Sequence, residues 1–209
     1  MQAPLIMINI AVIDNYDSFV FNLVRYINQY PNTQTHVMKN DQIDYDLLNS
    51  SDAIVLSPGP GTPENSGDLI HVIECYHAQK PILGVCLGHQ AMGIYFGAQL
   101  NLSTKILHGV QSEINLCCDS KLFTSLPDRI QVGRYHSWIL THPLPDSLRI
   151  TSETASGEIM SFEHRELPIY GVQFHPESIL TPAGRTIIIN FLHCVKTIQL
   201  HAKQLQTHE

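Results

Sequence analysis

Cys86 lies in a segment whose residue types and spacing suit a nucleophile. The run Pro81-Ile-Leu-Gly-Val-Cys-Leu-Gly-His-Gln90 reads as a short buried strand, a cysteine flanked by Gly84 and Gly88, and the start of a helix. This is the cysteine version of the G-x-S-x-G elbow, in which a sharp turn strains the nucleophile's backbone and glycines let neighbouring backbone pass close by. The helix N-terminus favours the reactive thiolate, and the Leu87 N–H is left to bind a developing oxyanion. The same spacing also fits an inert core cysteine, so its surroundings must decide.

The other cysteines lack such surroundings. Cys75 and Cys194 fall in helical patterns, and Cys117 and Cys118 end a strand-like run. We expect structural or incidental roles for all four. An odd total of five with no C-x-x-C pair argues against a disulfide framework and against a cysteine-based zinc site. The sequence therefore predicts free thiols in a reducing, cytoplasmic compartment, and no metal site.

His175 is the best candidate for the base that a cysteine nucleophile needs. Among 12 histidines it stands out because it follows a strand-like run and precedes Pro176-Glu177. Residues two apart on extended chain point the same way, and proline keeps the stretch out of a helix. Glu177 can therefore lie beside His175, fix its tautomer and stabilise the imidazolium. The alternative is a surface His–Glu pair without a role, but the chain order Cys, His, Glu suits an α/β nucleophile site.

A second loop offers backbone N–H groups. Ser57-Pro-Gly-Pro-Gly-Thr-Pro63 follows a buried run, and its glycines permit close approach of a ligand while its prolines stiffen it. The Gly59 N–H is a candidate second oxyanion donor. An ordinary tight connection is the alternative interpretation. A phosphate loop fits poorly, because G-x-x-x-x-G-K-[ST] is absent.

Alternating strands and helices in the first half must position these residues. The expected strands are Ile8 to Ile13, Thr35 to Lys39, Ala53 to Leu56 and Pro81 to Val85, and the expected helices start at Asp17 or Ser18 and span Asp68 to Gln79 and Leu87 to Phe96. Such alternation predicts parallel βαβ units with helices on both faces. Sites then lie beyond the carboxyl ends of the strands, in the loops after Ile13, Leu56 and Val85.

Helix boundaries carry their own signals. Asp17 or Ser18 can cap the first helix, whose apolar positions are Phe19, Leu23, Tyr26, Ile27 and Tyr30. In the last helix, Thr181 is the expected N-cap and Pro182 the first residue, with an apolar face of Ile187, Ile188, Phe191, Leu192 and Val195.

The second half changes to short β-type runs at close spacing. These are Ser112 to Leu116, Ile130 to Tyr135, Leu148 to Ser152, Glu158 to Glu163 and Ile169 to Phe174. The pattern predicts an antiparallel portion attached to the parallel sheet. The expected fold is thus α/β: an open, mostly parallel, flavodoxin-like sheet flanked by helices, with a smaller antiparallel β portion in the second half.

Composition bounds the function. The 209 residues are 44% hydrophobic, which suits one domain over 1–209 with a substantial core. The net charge is −7, and the 12 Lys and Arg form no basic run, so a nucleic-acid partner is not expected. No apolar run reaches the roughly 20 residues that span a bilayer, and no basic leader precedes the first strand, so neither a membrane nor a signal peptide is expected.

Taken together, the motifs resemble the class I, triad-type glutamine amidotransferases over nearly the whole chain. The segments that carry the resemblance are Asp14-Asn-Tyr-Asp-Ser-Phe19, Ser57-Pro-Gly-Pro-Gly-Thr-Pro63, Gly84-Val-Cys-Leu-Gly-His-Gln90, Arg134-Tyr-His-Ser137 and Gly171-Val-Gln-Phe-His-Pro-Glu-Ser178. The first and fourth of these are similar to the subfamily of anthranilate synthase component II and aminodeoxychorismate synthase component II.

The resemblance implies a reaction and a division of labour. Cys86 would attack the side-chain amide of L-glutamine with His175 as proton carrier and Glu177 behind it, and a γ-glutamyl thioester would form. Gly59 and Leu87 would form the oxyanion hole. Gly59, Pro60, Gly61, Gln90 and the Ser137–Trp138 backbone would hold the glutamine. Ammonia would pass to a chorismate-using synthase subunit (component I) in a hetero-oligomer; this chain would need no cofactor, and the partner is expected to use Mg2+.

Three positions keep more than one interpretation. Trp138 stands where leucine is frequent in the family, which should not matter if the position binds through its main chain. His136 can contact the partner, order the Ser137 backbone, or be a satisfied strand histidine. The loop Asn15 to Ser18 can cap the first helix and can also touch the partner.

Three functions compete. The first is a glutaminase subunit serving anthranilate synthesis in tryptophan biosynthesis, which overall likeness such as Val132 to Trp138 favours, with the aminodeoxychorismate (folate) enzyme, or service to both, as the alternative. The second is a stand-alone hydrolase of γ-glutamyl or peptide bonds. The third is a degenerate binding subunit, against which the intact Cys86, His175 and Glu177 argue.

Overall fold

A mixed sheet forms the centre of the molecule in a computed structural model that describes residues 7–103 and 107–206. The strands in this part of the chain are Ile8–Asp14 (β1), Thr33–Lys39 (β2), Ala53–Leu56 (β3), Ile82–Val85 (β4), Leu100–Leu102 (β5), Val110–Leu116 (β6), Arg129–Arg134 (β7), Trp138–Leu140 (β8), Leu148–Thr154 (β9), Ile159–His164 (β10) and Ile169–Val172 (β11). The α-helices are Val20–Asn28 (α1), Tyr45–Ser50 (α2), Leu69–Tyr76 (α3), Leu87–Tyr95 (α4) and Gly184–Gln206 (α5), and short 3-10 helices cover Pro63–Asn65 and Lys121–Phe123.

The strand order confirms the expected fold class. Nine strands follow the order β2-β1-β3-β4-β11-β10-β9-β6-β7, and β5 pairs with β8 in a separate antiparallel ribbon. From β2 to β11 all neighbours are parallel, in the flavodoxin-like order. From β11 to β7 all neighbours are antiparallel. The carboxyl end of β4 therefore lies between the carboxyl ends of β3 and β11.

Apolar side chains fill both faces of the sheet. In β1, Ile8, Ile10 and Val12 belong to one core and Ala11 and Ile13 to the other, as the two-residue period of a strand requires. The first core also contains buried residues of α1 and α5, and the second contains those of α3 and α4. Burial on both faces explains why the parallel strands read as continuous apolar runs.

Strand β11 joins the two halves of the sheet. The sequence assigns Ile169 to Phe174 to the antiparallel portion, whereas β11 pairs in parallel with β4 on one side and antiparallel with β10 on the other. All four residues of β11 are buried, as a strand inside the sheet must be. Sequence reasoning also missed α2, β5 and β8, because each has only three to six residues and too few repeats to show a period.

The expected helix caps are wrong at both helices. Helix α1 begins at Val20 after Phe19, and no side chain caps it. The Asp17 carboxylate instead accepts the Phe19 N–H at 2.7 Å in a local turn, and Phe19 stays 47% exposed rather than joining the apolar face. Helix α5 begins at Gly184, two residues after the predicted Pro182. The Thr181 hydroxyl instead bonds to the backbone of Gly133 and His175.

Helices long and apolar enough to cross a bilayer do not occur within residues 7–103 and 107–206.

Candidate active site

Cys86 occupies a strained turn between β4 and α4. Its backbone has φ 51° and ψ −99°, a region that residues with a side chain rarely adopt. Its N–H donates to the Val172 carbonyl of β11 at 2.8 Å, and its carbonyl accepts the Gln90 N–H at 3.0 Å. The turn is thus anchored on the sheet side and on the helix side. Strain of about 1–3 kcal/mol persists only where the surroundings hold it, and such residues concentrate at functional sites.

The two glycines around Cys86 are required by close backbone packing. A Cβ atom on Gly88 would stand 2.5 Å from the Leu56 carbonyl oxygen, and a Cβ on Gly84 would stand 2.6 Å from the Gly88 carbonyl carbon. Both contacts are with backbone atoms, which cannot move aside as the end of a flexible side chain could. The spacing G-x-C-x-G therefore reflects the crossing of β3, β4 and α4 beneath the cysteine.

His175 reaches the site from the loop that follows β11. Its N–H donates to the Gly133 carbonyl at 3.0 Å. The Thr181 hydroxyl donates to the His175 carbonyl at 2.7 Å and accepts the Gly133 N–H at 2.8 Å. This is why Thr181 does not cap α5: its hydroxyl ties the loop to β7. A Cβ on Gly184 would lie 1.7 Å from the Pro176 carbonyl oxygen, so the start of α5 packs directly on the same loop.

The His175 ring is buried, paired and free on one side. Nδ1 donates to Glu177 Oε1 at 2.5 Å, and both side chains are almost fully enclosed. Burial alone would lower the pKa of His175, but the negative charges of the Glu177 carboxylate and of a Cys86 thiolate raise it well above its usual value. Within residues 7–103 and 107–206 the ring's Nε2 has no hydrogen-bond partner. That nitrogen is available to exchange a proton with the sulfur or with a bound molecule.

A cavity of about 210 Å³ opens beside Cys86. It is lined by Gly59, Pro60, Gly61, Cys86, Gln90, Tyr135, His136, Ser137 and Trp138. All six residues that the sequence proposes for binding glutamine are in this set. The volume lies below the range of drug-sized pockets and suits a small metabolite.

The Gly59 loop is held against the elbow by a polar cluster. The Asn15 amide donates to the Ser57 carbonyl at 2.7 Å and accepts from the Asn40 amide at 3.1 Å. A Cβ on Gly59 would meet the Asn15 carbonyl at 2.5 Å and a Leu87 methyl at 2.8 Å. The loop after β1 thus supports the Gly59 loop through Asn15 instead of capping α1.

The two candidate oxyanion donors are unused. Leu87 is the first residue of α4, so its N–H has no acceptor inside the helix. The hydrogen bonds of the described residues include none donated by the N–H of Gly59 or of Leu87. Both groups are left for a ligand oxygen beside Cys86.

The side-chain amide of Gln90 lies at the cavity wall. Its Nε2 donates to the Trp138 carbonyl at 3.0 Å and to Gln173 Oε1 at 3.1 Å. Both of its N–H bonds are therefore used, and its Oε1 remains as an acceptor for a ligand ammonium or amide. Trp138 meets Gln90 through its main chain, so the departure from leucine leaves this contact unchanged.

His136 is a neutral ring inside a buried network. Arg134 donates from Nε to His136 Nε2 at 3.2 Å and forms an ion pair with Glu158 at 2.9 Å. Since Nε2 accepts, Nδ1 carries the proton and donates to the Trp138 carbonyl at 3.1 Å. Burial first, and then Arg134, lower the pKa of His136 to about 3. Of the three interpretations of His136, ordering the backbone fits best, although the carbonyl it orders belongs to Trp138 and not to Ser137.

Sequence reasoning missed Gln173 and Tyr135. The Gln173 amide donates to the Cys86 sulfur at 3.7 Å, and the Tyr135 ring packs edge-on against His175 with centroids 4.9 Å apart. The sequence carried no signal for Gln173, because its contact depends on the pairing of β4 with β11, each of which ends immediately before one member of this pair. Tyr135 carried no signal either.

The arrangement can transfer an acyl group. It combines a thiol, an imidazole with a buried carboxylate behind it, two unused N–H groups and a small cavity. Such a set attacks a carbonyl carbon, stabilises the oxyanion and protonates the leaving group. Groups of three or more His, Cys, Asp or Glu placed to hold a metal ion do not occur among the described residues.

Comparisons with known proteins identify the family of the chain. The family "Glutamine amidotransferase class-I" matches residues 11–195. "Anthranilate synthase component 2" of Mycobacterium tuberculosis is 47% identical over 193 residues, which cover 88% of this chain and 82% of the relative. "Aminodeoxychorismate/anthranilate synthase component 2" of Bacillus subtilis is 40% identical over 187 residues, covering 88% and 95%.

A solved structure shares the fold. It belongs to a Thermoplasma acidophilum protein described as part of a GMP synthase, with a TM-score of 0.86, 28% identity, and coverage of 96% of this chain and 100% of that protein. Since the family match spans most of the sequence and several relatives exceed 40% identity over most of their own length, the chain belongs to the class-I glutamine amidotransferase family.

Proposed function

We propose that this chain is the glutaminase subunit of anthranilate synthase, with Cys86, His175 and Glu177 as its catalytic triad. The Cys86 thiolate attacks the side-chain amide carbon of L-glutamine. The oxyanion that forms accepts hydrogen bonds from the N–H groups of Gly59 and Leu87. His175, protonated at Nε2, gives a proton to the leaving nitrogen, which departs as ammonia. The γ-glutamyl thioester remains on the sulfur.

Water completes the cycle at the same groups. His175 Nε2 takes a proton from the water that attacks the thioester carbonyl, and the sulfur leaves as glutamate forms. Glu177 holds the ring by Nδ1 in both half-reactions and offsets its positive charge. The observation that carries the proposal is the convergence of three loops: those after β3, β4 and β11 bring N–H donors, thiol and imidazole to one edge of the sheet.

Glutamine fits the cavity by chemistry as well as size. Its α-ammonium can donate to Gln90 Oε1, and the backbone from Pro60 to Gly61 and from Ser137 to Trp138 supplies further polar groups along the walls. The amide end then lies against Cys86.

In this proposal a partner subunit uses the ammonia as its substrate. Several relatives at 40–47% identity are named as component 2 of anthranilate or aminodeoxychorismate synthase, which supports a hetero-oligomer with a chorismate-using synthase subunit. Anthranilate is favoured, because the M. tuberculosis relative at 47% identity carries that name. We assign no cofactor to this chain, expect Mg2+ in the partner's reaction, and place the complex in the cytoplasm, where free cysteines such as the five found here persist.

Replacing the nucleophile tests the division of labour. In the complex, Cys86→Ala should abolish glutamine-dependent product formation, while product formation from added ammonium salt should stay within about twofold of wild type, because ammonia then bypasses this site. Cys75→Ala, a half-buried thiol on α3, is the matched control and should keep both activities. Loss of the ammonia-dependent reaction in Cys86→Ala would contradict the proposal.

The pathway and the stand-alone alternative are separated by partner reconstitution. Mixing the chain with an anthranilate-forming or an aminodeoxychorismate-forming synthase subunit should support glutamine-dependent synthesis with the former, and support with the latter alone would assign it to the folate enzyme. A glutaminase rate of the isolated chain equal to that of the complex would favour an independent hydrolase.

A further inference from the structure

Gln173 is a buried amide with few partners. Its side chain is fully enclosed. Its Oε1 accepts from Gln90 at 3.1 Å, and its Nε2 donates to the Cys86 sulfur at 3.7 Å, a normal length for a bond to sulfur. This contact takes no part in the two half-reactions of Cys86 and His175.

The register of the sheet fixes the contact. In the parallel pairing of β4 with β11, Val85 lies opposite Val172, so the residues that follow them are neighbours. The Cys86 N–H bonds to the Val172 carbonyl, and the Gln173 N–H bonds to the Met160 carbonyl of β10, both at 2.8 Å. The backbone therefore holds Gln173 beside the sulfur independently of its side chain.

The direction of the amide is also fixed. The two ends of a glutamine amide have the same shape, so partners decide which end donates. The Trp138 carbonyl can only accept, so the group of Gln90 that faces it must be NH2. That same NH2 faces Gln173, which must present its oxygen there and its NH2 to the sulfur. Reversing either amide would place two acceptors or two donors against each other.

An N–H aimed at sulfur distinguishes the two forms of the cysteine. A thiolate accepts hydrogen bonds far better than a thiol does, because bonds to a charged acceptor are roughly twice as strong as neutral ones. We propose that Gln173 is a thiolate-stabilising residue, which donates an amide N–H to Cys86 while the Trp138 carbonyl, acting through Gln90, sets the direction of that N–H. The inference rests on the proposed function of Cys86 as the nucleophile.

Strand β8 then contributes to the reactivity of Cys86. Trp138 carries the fixed carbonyl, and the neutral His136 donates a second bond to it. The Gln90 amide, which lines the cavity, thus sets the orientation of the Gln173 amide that contacts the sulfur.

The test measures the reactivity of Cys86 against pH. The whole chain is treated with iodoacetamide, which needs no glutamine site, and modification of the Cys86 peptide is followed by mass spectrometry to separate it from the other four thiols. Gln173→Met keeps the length of the side chain but removes the N–H. The pH at which alkylation reaches half its maximal rate should rise by about one to two units, because a hydrogen bond to a charged group is lost. With the synthase subunit present, kcat for glutamine should fall roughly 10- to 100-fold with KM within about threefold.

Controls separate this role from a structural one. Gln131→Met makes the same change on the exposed side of β7 and should leave the alkylation profile unchanged. Circular-dichroism spectra and urea unfolding curves close to those of wild type show that both variants fold. If Gln173→Met does not fold, Gln173→Glu replaces it, since it keeps an acceptor for Gln90 and removes the N–H; its midpoint should rise at least as far.

Two results would overturn the inference. One is an unchanged alkylation midpoint in a folded Gln173 variant; the other is a loss confined to KM. If Cys86 is alkylated with a shifted midpoint but the chain hydrolyses no glutamine, the proposed function fails and the inference about the thiolate stands.

Discussion

The elbow at Cys86 and the loop at His175 meet at one site but are held by different forces. The elbow is fixed by steric contact: Gly84, Cys86 and Gly88 cross other backbone so closely that no Cβ fits on either glycine. The loop packs on Gly184, but hydrogen bonds join it to the sheet, in which Thr181 ties His175 to β7. Steric fixation needs a local sequence pattern, whereas polar fixation needs partners from distant segments. The first can be seen in the sequence and the second cannot.

The largest expected effect comes from adding a side chain at the elbow, where steric contact fixes the backbone. In Gly88→Ala the new methyl group meets the Leu56 carbonyl at 2.5 Å, and neither backbone segment can move without disturbing the sheet. We expect the free energy of unfolding, measured in urea, to fall by about 4 kcal/mol or more. Gly157→Ala is the control: it introduces the strain of a positive φ but has nothing within 4 Å, so it should cost about 1 to 2 kcal/mol. Equal losses in the two variants would show that packing beneath the elbow is not what excludes a side chain.

Acid acts on both regions through one buried ring in each. His89 lies on α4, the helix of the elbow, and His136 follows β7, the strand to which the His175 loop is tied. Burial is the main cause that lowers the pKa of each ring to about 3. Between pH 6.5 and 3 the unfolded chain binds protons at these positions and the native chain does not, so stability falls as pH falls. Well inside this window each ring contributes about 1.4 kcal/mol per pH unit, so urea unfolding should show a loss of about 3 kcal/mol from pH 5.5 to 4.5.

A variant isolates one of these rings. His136→Gln retains a group that accepts from Arg134 and one that donates to Trp138, and it should reduce the acid slope by about half. His201→Gln, on the exposed side of α5, should leave the slope as it is. A full slope in His136→Gln would contradict the neutral ring. His175 contributes almost no slope between pH 5.5 and 4.5, because its raised pKa keeps the native ring protonated there and the unfolded ring is largely protonated as well.

The smallest effect concerns the polar side alone. Thr181→Val keeps the shape but leaves the His175 carbonyl and the Gly133 N–H without the hydroxyl. We expect a loss of about 1.5 kcal/mol in the free energy of unfolding and a several-fold lower kcat with KM little changed, because the imidazole is held less firmly. Thr197→Val, exposed on α5, should change neither quantity. A Thr181 variant with wild-type kcat would mean that the loop is held by packing alone.

The sequence predicted the fold and the placement of the candidate residues through patterns of short range. Cys86 between two glycines, the proline-stiffened Gly59 loop and His175 beside Glu177 are local features, and the strand–helix alternation places them at one edge of the sheet. What could not be predicted depends on register. Gln173 is a contact of the sulfur only because Val172 lies opposite Val85, and Thr181 reads as a helix cap until its hydroxyl is seen to meet Gly133.

The caps failed for a related reason. Asp17 and Thr181 have the residue types that cap helices, but in each the side-chain oxygen accepts from another backbone N–H instead. Local propensity ranks the possible partners of a side chain, and tertiary contacts choose among them.

The position of β11 in the sheet has a consequence for the newly made protein. The strand that brings Gln173 and His175 to the sulfur is the last strand of the described chain, and 87 residues separate Gln173 from Cys86. Synthesis from the N-terminus therefore completes Cys86 and the N–H groups of Gly59 and Leu87 well before the His175 imidazole is made, and before β11 supplies the Val172 carbonyl that anchors the turn. A ribosome-bound fragment that ends before β11 carries Cys86 without the His175 imidazole, so under the proposed mechanism glutamine consumption begins only once the chain has closed its sheet.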